Sequence, residues 1–318
     1  MARTRLIVDT DPGMDDAVAL LTAFGSPDET DVRMITTVGG NVPVSLCTAN
    51  ALRLCELANR RDVKVHEGCP KALLQPSNAV FHIHGNSGLG NASLPEPTLA
   101  AARGHAVPAI IEAIRNSTEK VTIAGLAPLT NIALALTMAP DISENIQAIV
   151  AMGGSFHGGN ITPYATYNFH SDPHAVHIVL NCGAPVVMMS LEVARQLRPD
   201  PAWLANLAGA DRPAGQFVSE LWRGSPLCFN DASVILYILD PALFQCEDIR
   251  VEIEMNDVVR LGQIRRIQGE HNVRFASAVD REGAFRRIDA ALRYSRSADS
   301  DARPDVSLLS RSERDGLP

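Results

Sequence analysis

The sequence predicts an α/β fold: an open, mostly parallel, Rossmann-like sheet with helices on both faces and a small antiparallel β-rich C-terminal part. Short apolar runs that end at glycine or at polar residues alternate with longer stretches whose apolar residues recur at helical spacing. Glycine and proline occupy the turns between them, as at Pro12-Gly13 and at Gly125-Leu126-Ala127-Pro128. Past residue 249 the pattern changes to runs of period two. Repeated strand-helix alternation implies parallel pairing, because each crossover returns the chain to the same end of the sheet.

In order, Leu6-Ile7-Val8 is the first strand, and the apolar run from Ala17 opens a helix that Gly25 and Pro27 close. Residues 32–38 are a second strand ending at Gly39-Gly40-Asn41, residues 44–58 a helix, and residues 63–65 a short third strand. Residues 68–94 are rich in Gly, Pro, Asn, Ser and His without a clear period, which predicts a lid or binding loop. The alternation resumes with a helix at 107–115, a strand at 121–124, a helix at 129–136 and a strand at 148–152 that ends at Gly153-Gly154. Residues 158–168 form a second loop, entering a helix near Asp172-Pro173. A strand at 185–189, two or three helices within 199–224 and a helix at 232–239 follow. Residues 249–255, 262–267 and 273–279 alternate like antiparallel strands, and 283–294 is a closing helix. No linker divides these parts, so residues 1–294 are expected to be one domain and residues 295–318, rich in Ser, Asp and Arg, a disordered tail.

A hydrophobic fraction of 46% in 318 residues is enough to bury a substantial core. There is no apolar run of about 18 residues and no secretory leader, so a cytoplasmic protein with no membrane partner is expected. Its six cysteines form no CxxC pair, so reduced, buried thiols are the default. A net charge of −8 argues against a nucleic-acid polymer as partner.

The chemistry concentrates in Asp9-Thr10-Asp11-Pro12-Gly13-Met14-Asp15-Asp16. Two carboxylates end a strand, and two more fall in the first turn of the next helix, where the amide groups and dipole favour negative charge. Capping explains one or two of these, but a set of four repels itself unless a divalent cation neutralises it. The stretch therefore reads as a metal site, at the strand ends where open α/β sheets bind ligands.

This stretch resembles the DTDPGxDDxxA signature of the inosine-uridine-preferring nucleoside hydrolases. The resemblance extends over roughly residues 5 to 290: Asn41 closes a TVxGN-like run, and His84-Gly85 with Gly88-Leu89-Gly90 is similar to the family's HGxxGL loop. Pro128-Leu129-Thr130-Asn131-Ile132-Ala133, Met152-Gly153-Gly154, the Asn160/Asn168/Asp172-Pro173 stretch and Asp231 follow in the family's order. The resemblance implies an open α/β sheet, a Ca2+ ion, and hydrolysis of the N-glycosidic bond of ribonucleosides in purine or pyrimidine nucleoside catabolism, by a homodimer or homotetramer. It implies that Asp11 is the general base for a Ca2+-bound water and that Asp11, Asp16, the Leu126 carbonyl and Asp231 are metal ligands. Asp15, Asn168 and Asp231 would hold the 2′- and 3′-hydroxyls, with Asn41, Met152, Asn160 and Thr166 completing the substrate pocket and Asp9 supporting it.

Two positions depart from the family pattern. Thr166 replaces a Glu that grips the 5′ side of the ribose, and Asn230 replaces a His beside the last aspartate. In part of the family that His protonates the leaving base, whereas Asn230 can hydrogen-bond a base but cannot act as a general acid near neutral pH. Asn230 and His84 accordingly join Asp11 in the catalytic set, with His84, His82 or a tyrosine as sources of the missing acid, unless the leaving group needs none. Trp222 and Phe81 are candidates for stacking on a base or for core and lid packing. A modified riboside as substrate, or riboside binding without turnover, are the alternatives to common ribonucleosides. The bare DxD at Asp9 and Asp11 also resembles haloacid-dehalogenase-like phosphatases, but Pro12-Gly13 and the second Asp pair do not follow that pattern.

Overall fold

The computed structural model describes residues 3–76, 80–209 and 212–294; the tail expected at 295–318 lies outside the described residues. Nine strands, β1 (Thr4–Thr10), β2 (Thr30–Thr37), β3 (Lys64–Glu67), β4 (Val121–Gly125), β5 (Ile146–Met152), β6 (Val186–Met189), β7 (Phe244–Ile253), β8 (Ile264–Ile267) and β9 (Val273–Val279), form one sheet in the order β3-β2-β1-β4-β5-β6-β9-β7-β8. Pairing is parallel from β3 across to β9 and antiparallel for β9–β7 and β7–β8. The β-rich end thus extends the main sheet, because β9 pairs in parallel with β6, Met188 opposite Phe275.

Both faces of the sheet are covered. In β1, Leu6 and Val8 enter one apolar cluster while Ile7 enters the other, the period of two expected of a strand. The helix Met14–Phe24 is buried along its whole length and packs against helices Pro213–Leu221, Ala232–Leu239 and Arg281–Arg293. Its sequence is accordingly apolar all round rather than striped. No helix among the described residues is long and apolar enough to cross a membrane.

Three details depart from the sequence reading. The 68–94 loop contains one helical turn, Phe81–His84. Two helices, Tyr167–Ser171 and Pro173–Leu180, stand where one was expected, since Pro173 lacks the N–H needed to continue the first and Asp172 caps the second. Strand β7 starts at Phe244, five residues before the period-two pattern, because its residues 245–248 are all exposed and show no alternation.

The chain runs β1, β2, β3 toward one edge and then returns to β4 on the other side of β1. A crevice opens where the order reverses, beyond the carboxyl ends of β1 and β4. Leu126 N donates to Asp9 O at 2.8 Å and Val38 N to Thr10 O at 3.1 Å, so the three strand ends are bonded together there.

Asp172 is fully buried and ties this edge to a neighbouring loop. Its Oδ2 accepts from Thr130 Oγ1 (2.6 Å) and Leu73 N (2.9 Å), and its Oδ1 from Ala175 N (3.0 Å). Asp172→Ala strands two buried donors and one part-buried donor and is expected to cost about 2–4 kcal/mol. Thermal denaturation should show a melting temperature lower by roughly 5–10 °C.

Candidate active site

The β1 turn folds around Asp16. Its Oδ1 accepts from Thr10 Oγ1 (2.5 Å) and Asp11 N (3.3 Å), and its Oδ2 from Gly13 N (3.0 Å) and Asn41 Nδ2 (3.0 Å). Asp16 therefore does cap the Met14–Phe24 helix, as its position in the first turn allows. Asp11 Oδ2 accepts from Asn41 N at 2.7 Å. Asp15 Oδ2 accepts from Asn230 Nδ2 at 2.8 Å, and Asp231 comes up beside it from the start of the helix Ala232–Leu239.

Carboxylate oxygens of Asp15, Asp16 and Asp231 lie within 4.8 Å of one another, among buried side chains. Of the ligands that the resemblance implies, Asp16 and Asp231 belong to this group; Asp15 is its third member, while Asp11 is turned to the Asn41 amide. Burial raises the pKa of all four carboxyls, and repulsion from neighbouring aspartates adds to it at Asp11, Asp16 and Asp231. Asp9 lies underneath, fully buried, with its carboxyl pushed up to about 7 by burial despite hydrogen bonds from Asn131 and Thr36.

These groups open into a cleft of about 150 Å3 at the strand ends. Asp11, Asp15, Asn41, His84, Leu126, Met152, Asn160, Thr166, Asn168, Asn230 and Asp231 all line it, whereas Asp16 lies beneath and is fully buried. Val80, Ile83 and Leu227 supply apolar surface, and no Lys or Arg is among the described lining residues. Residues scattered over 220 positions of sequence thus converge on one site.

Hydrogen bonds fix which end of each amide is left for a ligand. Asn168 Nδ2 donates to the carbonyls of Leu126 (2.7 Å) and Met152 (3.1 Å), leaving Oδ1 as an acceptor. Asn160 Oδ1 accepts from Tyr167 N (2.8 Å), leaving Nδ2 as a donor. Thr166 Oγ1 accepts from Gly154 N (2.9 Å) and braces the turn after β5.

His84 Nδ1 accepts from Met14 N at 3.1 Å, so the ring's proton sits on Nε2. Burial lowers its pKa to about 4, which leaves a neutral imidazole at the start of the Met14–Phe24 helix. His82, on the same turn, is exposed and does not line the cleft. Trp222 is core rather than a stacking platform: it is buried, meets Phe229 edge-on with centroids 4.6 Å apart, and donates Nε1–H to Leu227 O at 3.2 Å. The Phe81 side chain lies outside the described residues.

Sequence reasoning gave no role to Asn131, although a polar residue directly before the apolar run Ile132-Ala133-Leu134 was a signal. Asn131 Nδ2 donates to Asp9 Oδ1 (2.8 Å) and Thr37 O (2.9 Å), and its Oδ1 accepts from Cys69 N (2.9 Å). Asn50 was also missed; its Nδ2 bridges Pro12 O (3.1 Å) and Ser87 O (2.8 Å), pinning the 85–90 loop to the aspartate turn. Tyr167 lines the cleft as well, and burial followed by the nearby carboxylates keeps its hydroxyl protonated.

Residues 6–286 match the family described as inosine-uridine preferring nucleoside hydrolase. An uncharacterized protein of Schizosaccharomyces pombe is 39% identical over 273 residues, covering 81% of this chain and 87% of that protein. The pyrimidine-specific ribonucleoside hydrolase RihA of Shewanella baltica is 35% identical over 271 residues, covering 81% of this chain and 84% of its own. Among solved structures, a plant nucleoside hydrolase superposes with a TM-score of 0.86 at 27% identity, over 92% of this chain and 99% of that one.

Two outcomes follow from the packing and charge of the site. A Cβ at Gly40 would stand 1.9 Å from Asp11 Oδ2, so Gly40→Ala must displace the carboxylate or the turn. Its kcat/KM for the natural reaction should fall by roughly 100-fold. The second outcome concerns pH. A folded-state pKa of about 7 for Asp9, against an ordinary 3.8, means that its contribution to stability is full below about pH 4 and is lost as pH rises through about 7. The cation-free protein should melt at a higher temperature at about pH 5 than at about pH 8, with an added divalent cation narrowing the difference in calorimetry.

Proposed function

This chain belongs to the inosine-uridine preferring nucleoside hydrolase family, which hydrolyses the N-glycosyl bond of ribonucleosides, and from that premise we propose that Asp11 is its general base and Ca2+ its metal. The observation that carries the proposal is the group of buried, mutually repelling carboxylates at the floor of the cleft.

The donor set fits a hard divalent cation. It offers oxygen only, its carboxylates are desolvated and crowded, and the described lining holds no cationic side chain to neutralise them. Asp11, Asp16, Asp231 and the Leu126 carbonyl would hold the ion. When bound, such a cation lowers the pKa of water and anchors vicinal hydroxyls.

The chain's own groups do the rest. The Asn41 amide occupies Asp11 Oδ2 and fixes the carboxylate, leaving Oδ1 to take a proton from the attacking water. Asp15, Asp231 and the free Oδ1 of Asn168 accept from the 2′- and 3′-hydroxyls, and Asn160 Nδ2 and Asn41 complete the sugar contacts. As the glycosidic bond lengthens, positive charge grows on the ribose, and the carboxylate floor stabilises it.

Departure of the base receives less help. Asn230 spends its amide on Asp15, His84 is neutral with Nδ1 engaged, and the Tyr167 hydroxyl is a weaker acid than usual. We therefore assign the cleft to ribosides whose base leaves with a hydrogen bond rather than a full proton transfer. The same feature, together with the inward-turned Thr166, favours a modified riboside as the second reading. A homodimer or homotetramer is part of the proposal and is checked by light scattering.

The deciding assay is release of free ribose from a panel of common and modified ribonucleosides, with chelator and with Ca2+ restored. Turnover should vanish with chelator and return with Ca2+, and Asp11→Ala should lower kcat by roughly 1,000-fold or more. Near-normal activity of that variant removes the assignment of the base. Ca2+ binding and riboside binding without ribose release from any member would point to a binding protein.

A further inference from the structure

The segment between β5 and the helix Tyr167–Ser171 delivers Asn160 and Thr166 to the cleft, yet it contains Gly153, Gly154, Gly158 and Gly159 and has no regular structure of its own. The short helix Leu191–Ala194 after β6 fastens it. Glu192 Oε1 accepts from Ser155 Oγ (3.0 Å) and from the amides of Phe156 (2.7 Å) and His157 (3.1 Å), and lies 3.0 Å from His157 Nδ1. Three residues later, Arg195 donates to the carbonyls of His157 (3.0 Å), Gly158 (3.1 Å) and Gly159 (3.4 Å). A carboxylate thus gathers the N–H groups of the turn and a guanidinium its C=O groups, the two polarities of one stretch of backbone.

The loop then closes on itself through Asn160 N to Ala165 O (3.2 Å) and Tyr167 N to Asn160 Oδ1 (2.8 Å). The same turn of chain also reaches the opposite wall, where Phe229 N donates to Leu197 O at 3.0 Å, two residues before Asp231. Neither Glu192 nor Arg195 lines the cleft.

We propose that Glu192 and Arg195 are positioning residues that hold the 155–160 turn so that Asn160 meets the ribose of a bound nucleoside. The inference rests on the reading of the cleft as the ribonucleoside site. Because the pair touches the loop and not the aspartates, it acts on sugar binding and leaves the cation's affinity alone.

The test compares kcat and KM on the best ribonucleoside of the panel, and Ca2+ affinity by calorimetry, in E192A, E192Q, R195M, R195K, N160A and the double variant E192A/N160A. E192A and R195M should raise KM roughly tenfold or more, with Ca2+ affinity unchanged. E192Q keeps an acceptor oxygen and R195K keeps the charge, so both should recover part of the loss. In the double variant, KM should be no higher than in N160A alone, since Glu192 acts through Asn160. An unchanged KM in both E192A and R195M, a parallel loss of Ca2+ affinity, or fully multiplicative effects of E192A and N160A would overturn the inference. Absence of turnover in the unmutated protein would instead remove the reading of the cleft, and the inference with it.

Discussion

Asp11, Asp15, Asp16 and Asp231 are buried beside one another, and the structure around them is arranged to hold like charges that desolvation and mutual repulsion both disfavour. Amide and hydroxyl donors from Thr10, Gly13, Asn41 and Asn230 surround three of the four. The N-terminus of the helix Met14–Phe24 adds its dipole. These donors orient the carboxylates without neutralising them, which leaves the residual charge on which the proposed cation and the proposed oxocarbenium-like transition state both depend. A second layer, Thr36 and Asn131 on Asp9, extends the same support beneath the floor.

Much of this was legible in the sequence, for local reasons. Strands covered on both faces are apolar throughout, so β1, β2, β4, β5 and β6 stand out as short hydrophobic runs. The aspartate turn is legible because four carboxylates fall within eight residues. Partners from distant segments are not, because one sequence carries no record of which side chains meet: Asn131 lies 122 positions from Asp9, and Asn230 215 from Asp15. Thr166 shows the limit of residue type. Its size and neutrality could be read from the sequence, but not its bond to the Gly154 amide, which takes its hydroxyl for a structural task. The start of β7 was hidden because a run of exposed residues has no hydrophobic period.

The antiparallel end of the sheet contributes to the site as well. The link between β7 and β8 returns over the helix Tyr167–Ser171, where Gly262 adopts φ +79° and a Cβ would come within 2.6 Å of His170 Cα. Arg260 lies over the Tyr164 ring at 5.6 Å from its centroid. The segment that carries Asn160, Tyr167 and Asn168 is therefore pressed from outside by the hairpin and held from beside by Glu192 and Arg195. Strand β9, paired to β6, sets where that hairpin can stand.

The enclosure of the helix Met14–Phe24 bears on the order in which the protein comes into being. This helix presents Asp15 and Asp16 and is synthesised about 200 residues before part of its cover, which comes from Ala232–Leu239 and Arg281–Arg293. Until those residues have been synthesised, an apolar helix with two acidic groups at its tip has no partner on that side, and Asp231 is missing from the floor. The aspartate motif of residues 9–16 thus gains its third clustered carboxylate only when a segment more than 200 residues later has been added. A nascent chain that stops short of Asp231 carries the signature without the carboxylate cluster, so assembly of the cleft floor waits on long-range folding.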